Sequence, residues 1–163
     1  MPESGEFMYS KAITSISVTY NVSFITIKNL PDNIQAISDV FNSIKEENIN
    51  IDMISQMPLS GRFINISFSV LSEDMVKTLV ALNNHKKRMP DLNIEVNSGN
   101  TKISVFGDAM KVVPGVAAKL FSVLAKNNIE IKMVTTSEVE ISFLLYANYV
   151  DKAVSAIKKE FEL

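Results

Sequence analysis

The sequence predicts an α+β fold of two ferredoxin-like β-α-β-β-α-β units, the first inserted into the second. Each unit is expected to be a four-stranded antiparallel sheet with two helices on one face. Three observations predict this. An internal repeat places Ile37, Val40, Phe41 and Ile44 where Ala117, Leu120, Phe121 and Leu124 recur about 80 residues later, and Asn48-Ile49-Asn50-Ile51 is matched by Asn128-Ile129-Glu130-Ile131. Each copy reads strand–helix–strand–strand–helix by its hydrophobic period. Only the first copy ends in a fourth strand, and an unpaired strand near the start of the chain can complete the second.

Composition sets the outer bounds. Hydrophobic residues make up 47% and charged residues 21%, the balance of a globular protein with room for one or two cores. A net charge of −2 gives no general attraction to phosphate backbones or anionic lipid. No apolar run approaches the roughly 20 residues of a membrane-spanning helix, and the opening MPESGEF has no apolar signal segment. The chain has no cysteine, so disulfide and thiolate chemistry are excluded. Neither a nucleic-acid partner nor a membrane partner is expected, and the pattern suits a cytoplasmic protein.

In order along the chain, residues 1–11 read as a disordered lead. Residues 12–19 and 22–30 read as strands separated by a tight turn at Tyr20-Asn21. Pro31-Asp32-Asn33 ends the second strand, and Asp32 or Asn33 can cap a helix running to about Glu47. Alternating Ile49, Ile51 and Met53 predict a strand, 57–61 a connection, and 64–70 the next strand. Ser72 can cap a helix that ends before Pro90, and 92–96 reads as a short strand. Residues 97–100 form the clearest linker, which sets the first unit at 22–97 and the second at 12–20 plus 101–163. The second copy follows as strand 101–107, loop 108–113, helix 114–127, strands 129–135 and 139–146, and a helix near 148–161. Pro114 suits a first helical position, where its missing N–H costs nothing.

Catalytic chemistry is hard to find in this pattern. His85 is the single histidine and lies among Asn84, Lys86 and Lys87 on a polar helix end, where solvent exposure is expected. No phosphate-binding glycine loop, nucleophile elbow or metal-spaced cluster is present, so no metal or other cofactor is predicted and the chain is not expected to be an enzyme by itself. Phe68 and Phe143 share parity with Ile66 and Ile141, which makes them core residues; Phe24 and Phe106 are possible exceptions. Without a basic surface, RNA recognition by an open sheet face finds little support. The remaining feature is the polar corner Thr135-Thr136-Ser137-Glu138, facing the loop that leads into the helix at Pro114-Gly115. Its hydroxyls suit an ordinary turn. A helix N-terminus that favours a carboxylate, beside an acid that favours an ammonium group, is also the minimal chemistry for holding a free amino acid.

Residues 113–121 (VPGVAAKLF), 127–131 (NNIEI) and 135–142 (TTSEVEIS) resemble the second regulatory repeat of aspartokinases, and the closing AVSAIKKEFEL is similar to the C-terminus of those enzymes. Leu30-Pro31-Asp32 and residues 49–56 (INIDMISQ) resemble the first repeat. The resemblance spans about Ala12 to Leu163. It implies tandem ACT domains, the first inserted in the second, that bind lysine and/or threonine and impose feedback inhibition on a kinase at the head of lysine, threonine and methionine biosynthesis. It implies a homodimer through ACT units, and a catalytic module supplied in cis or as a separate subunit. Carried onto matching positions, the effector-binding set is Asp32, Gln35, Gln56 and the backbone of Asn50 and Ile51 in the first unit. In the second unit it is Met110, Val116, Asn128, Ile129, Ser137 and Glu138. Two departures stand out. No kinase module lies in these residues, and Asn33-Ile34-Gln35 replaces the family's usual lysine–proline–glycine, in a loop about two residues shorter than its counterpart. The alternative to an amino-acid sensor is a dimerisation module with a vestigial ligand site.

Overall fold

The computed structural model describes residues 11–163, so the expected disordered lead lies, except for Lys11, outside the described residues. The elements are β1 (Ser15–Pro31), α1 (Ile34–Glu46), β2 (Ile54–Pro58), β3 (Phe63–Leu71), α2 (Met75–Lys86), β4 (Asn93–Phe106), α3 (Val116–Lys126), β5 (Met133–Thr136), β6 (Glu140–Tyr146) and α4 (Val150–Phe161). Short 3-10 turns at Ser72–Asp74, Asp108–Lys111 and Ala147–Tyr149 precede α2, α3 and α4.

The strands form one six-stranded sheet in the order β2-β3-β1-β4-β6-β5, which corrects the expectation of separate four-stranded sheets. The cause lies in two pieces of turn chemistry. The sequence predicts a turn at Tyr20-Asn21 and a linker at 97–100, yet both lie inside long strands. Asn21 takes φ 56° and Gly99 φ 76°, so each deflects the backbone without ending the strand. Asparagine and glycine tolerate that left-handed conformation at little cost.

The described residues divide into two compact units, Asn21–Gly99 and 11–20 with Asn100–Leu163. In the inserted unit β3 pairs antiparallel with both β2 and β1, so Ile54, Phe68 and Ile25 share one face, as do Gln56, Ile66 and Ile27. Against that face α1 buries Ala36, Val40 and Ile44, and α2 adds Leu82. Phe41 meets Phe68 edge-on at 5.7 Å. A buried side chain of this size contributes about 1.5–3 kcal/mol by leaving water.

In the discontinuous unit β6 lies between β4 and β5, with Phe143 opposite both Ile103 and Val134. Its five central residues are all buried, and Ile141, Phe143 and Leu145 share a core with Leu120 and Leu124 of α3 and Ile157 and Phe161 of α4. Ile13 is buried in the same core, and the Thr14 amide donates to the Phe106 carbonyl at 2.7 Å. Phe68 and Phe143 are thus core residues, as their parity predicts, while Phe106 is partly exposed.

The repeat extends to the helix ends. After α1, Asn48 takes φ 57°, its amide donates to Lys45 O, and the Ile49 amide reaches back to Ile44 O. After α3, Asn128 takes φ 51°, donates to Ala125 O, and Ile129 reaches Leu124 O. This double bond closes orphan carbonyls and returns an isoleucine to the core. It also corrects two predicted strands. Residues 49–51 and 129–131 are occupied in leaving the helix; Asp52 and Met53 then bond to Ser69 and Lys132 to Leu144, and the strands proper begin at Ile54 and Met133.

Other boundaries move for local reasons. Asn33, not Asp32, caps α1, accepting from the Ala36 amide at 2.8 Å. Ser72 starts a 3-10 turn rather than capping α2, and its hydroxyl lies 2.8 Å from that of Ser23. Helix α3 begins at Val116, leaving Pro114 outside it. His85 is half-buried rather than exposed, because its Nε2 lies 3.0 Å from Ser43 Oγ where α2 packs on α1.

Candidate functional site

The site is built where the end of β4 runs toward α3, in the discontinuous unit. Gly107 N donates to Val139 O at 2.9 Å, which ties the loop to the β5–β6 corner. The chain then makes the 3-10 turn Asp108–Lys111, buries Val113, and reaches Gly115 at φ 85°. In that conformation the backbone stays out of the helix until Val116, and the first i→i−4 bond runs from Lys119 N to Gly115 O at 2.9 Å. No side-chain hydrogen bond caps α3. The first-turn amides therefore face outward as donors at the positive end of the helix dipole.

The opposing corner is rigid by its own bonds. Ser137 N donates to Glu140 O at 2.8 Å, and Ser137 Oγ accepts from the Val139 and Glu140 amides at 3.3 and 3.1 Å. Both bonds use the serine oxygen as acceptor, so its own O–H remains a donor. Between loop and corner is a cavity of about 490 Å³. Lys111, Gly115, Ser137 and Glu138 are among its polar lining, and Val113, Val116 and Ile141 among its apolar walls. Among the described residues neither Lys111 nor Glu138 makes a side-chain hydrogen bond or ion pair. Two uncommitted charges of opposite sign beside helix amides can receive a carboxylate and an ammonium group on one small molecule.

The sequence-predicted residues divide accordingly. The cavity brings together Met110, Val116, Ser137 and Glu138. Asn128 and Ile129 are not in its lining and serve the helix-ending bonds of α3. In the inserted unit Asp32 N donates to Arg62 O, and Gln35 Nε2 donates to Asp39 Oδ1 at 2.7 Å. Asn50 is exposed, Ile51 packs against the core, and Gln56 lies on the exposed strand β2. Thr136, part of the polar corner singled out in the sequence though not of the effector-binding set, also lines the cavity, as does Lys111, which the sequence reading does not single out; a lone cation in a mostly apolar loop is the signal that marks it.

A second, polar cavity of about 490 Å³ lies between α1 and α2, where Asp39, Glu46, His85 and Arg88 meet. Among the described residues no cluster of three or more histidine, aspartate or glutamate side chains is arranged to hold a metal, and no helix is long and apolar enough to cross a membrane.

The family model for the ACT domain matches residues 25–85 and again 103–161. The chain belongs to the ACT-domain family. Each match falls within one unit, so the repeat in the sequence is a tandem of ACT domains. The ACT pair is 36% identical over 151 residues to aspartokinase 2 of Bacillus subtilis, covering 93% of this chain and 37% of that protein. Among solved structures it is similar to the regulatory subunit of aspartate kinase from Thermus thermophilus in its ligand-free form, at 27% identity and a TM-score of 0.83, covering 93% of this chain and 99% of that one. A structure of aspartokinase alpha and beta subunits contains a chain 30% identical, with a TM-score of 0.83, matched over its entire length. The ACT pair is therefore homologous to the regulatory region of aspartokinases. It spans a little over a third of the length of the curated relatives, and these 163 residues include no kinase domain.

Proposed function

We propose that this tandem ACT chain is an amino-acid-sensing regulatory module of an aspartokinase, binding free lysine or threonine for feedback inhibition of aspartate-family biosynthesis. It acts as a homodimer through its ACT units, on a kinase module joined in cis or supplied as a separate subunit. The observation that carries the reading is the cavity with Lys111 and Glu138 uncommitted on its walls and the uncapped start of α3 beside them. The α3 amides and Lys111 receive the carboxylate, Glu138 receives the ammonium group, and the Ser137 hydroxyl donates to a ligand oxygen. Regulation follows by linkage, since an effector shifts a kinase only by its difference in affinity for the two states.

The test is thermal unfolding with lysine, threonine, methionine and a leucine control. Free ligand at 100 times its dissociation constant adds about 2.7 kcal/mol, which raises Tm by roughly 5–10 °C for a chain of this size. Lysine or threonine is expected to give the shift and leucine none. In Ser137→Phe the shift disappears while the ligand-free Tm stays within a few degrees. No shift with any of the four amino acids would favour a dimerisation module whose ligand site is vestigial.

A further inference from the structure

We infer that only the second ACT repeat senses the effector, and that the first closes its equivalent position with its own side chains, so that each chain holds one ligand. This rests on the functional reading above and adds the count and the reason for it. The two helices that begin the repeats align through their core stripes, Val40 and Ile44 with Leu120 and Leu124. On that alignment Gly115 corresponds to Gln35 and Pro114 to Ile34. In the second repeat, glycine at φ 85° holds the chain out of the helix through residue 115, and the space left is the cavity. In the first repeat no glycine interrupts, and α1 starts at Ile34, two residues earlier against the same stripe. The first turn of α1 thus runs through Ile34 and Gln35, positions whose counterparts the second repeat leaves outside the helix.

The start of α1 is also capped by the chain itself. Asn33 is extended, with φ −148° and ψ 147°, and its Oδ1 accepts from the Ala36 amide at 2.8 Å. An amide oxygen of the chain thus stands where a ligand carboxylate oxygen would stand at α3. Val113, which stands at the position of Asn33 on that alignment, has no side-chain oxygen to do the same, and no side chain caps α3. Gln35, the remaining polar group on that turn, donates to Asp39 along its own helix at 2.7 Å. The first repeat is an internally liganded copy of the second.

Equilibrium dialysis with radiolabelled L-lysine and L-threonine, each with the intact chain, gives the count. Hydrogen exchange on the same samples gives the place. The expected result is one ligand per chain, with slowed exchange at the amides of Val116, Ala117 and Ala118 and unchanged exchange at Gln35, Ala36 and Ile37. Writing the first repeat's residue into the second, Gly115→Gln, lowers the count to zero in a folded protein. Two ligands per chain, or protection at the start of α1, would overturn the inference and leave the sensor reading standing. Zero ligands in the unaltered chain would overturn both.

Discussion

At the scale of single residues, Gly107 shows how tightly the first described residues are held. A β-carbon there would lie 1.8 Å from the carbonyl oxygen of Ala12, a backbone atom with nowhere to go. Its amide meanwhile holds Val139 O, so the residue is fixed from two sides. Gly107→Ala must push the chain at Ala12 and Ile13 out of a core where both are fully buried. The cost of such overpacking is about 1–3 kcal/mol, and more where backbone must shift. The expected outcome is a lower urea midpoint for the whole transition, together with weaker effector binding, because Gly107 opens the loop that shapes the cavity. An unchanged midpoint would show that Ala12 has an alternative path. The glycine itself was legible only as a strand end; the approach of Ala12 is a long-range contact that no local pattern carries.

Among elements, the pairing of α3 with α4 offers a prediction with a pH sign. Lys119 on α3 and Glu160 on α4 form an ion pair, each about one third exposed. The hydrogen bond from Lys119 holds the Glu160 carboxyl below the usual glutamate range, against a smaller opposing effect of burial. A carboxyl depressed by folding stabilises the native state above its unfolded pKa of about 4.3, and that contribution fades as pH falls through the depressed value. Its partial exposure keeps the pair near the 0.2–1 kcal/mol of surface bridges. Glu160→Gln is therefore expected to cost well under 1 kcal/mol at pH 7, to cost nothing once the wild-type carboxyl is protonated, and to show less of its loss in high salt. Urea titrations at pH 7 and pH 3 check this.

Elements also show why some of the fold was legible and some was not. Helices α1, α3 and α4 bury one stripe each, so the 3.6-residue period survives in sequence. Strands β3 and β6 run through the core and read from their apolar runs. Strand β2 is exposed at every residue, so no alternation existed to be read, and the signal went to the neighbouring buried Ile49 and Met53 instead. The breaks read at Asn21 and at 97–100 had the right residues for positive φ but not for a chain reversal. The corner at Ser137 and Glu138 was readable as a site because polar residues interrupt two apolar strands. The contrast between Gly115 and Gln35 was readable as a departure, while its meaning needed the starts of both helices.

For the whole molecule, the two repeats have the same architecture and different endings of one short loop. Architecture alone therefore does not decide which repeat answers a ligand; on the inference drawn above, two residues at a helix start do. A regulator made by duplication can keep one copy as sensor and free the other for packing, provided the silent copy satisfies its own amides. Asn33 does so for the Ala36 amide.

The insertion of one unit into the other has a consequence for how the protein is made. Residues 21–99 emerge from the ribosome as an uninterrupted piece, with every strand and helix of their own core present once Gly99 is out. The other unit has its opening strand synthesised before these residues and its last helix only after them, so Ile13 waits for Phe161. During translation that strand is tethered to an already folded body, which shortens the loop its later closure must order. A nascent chain stalled with residues to Gly99 exposed is expected to resist protease across 21–99 while residues 12–20 are still cut. Protection of 12–20 is expected to arrive only once residues through Phe161 are also exposed.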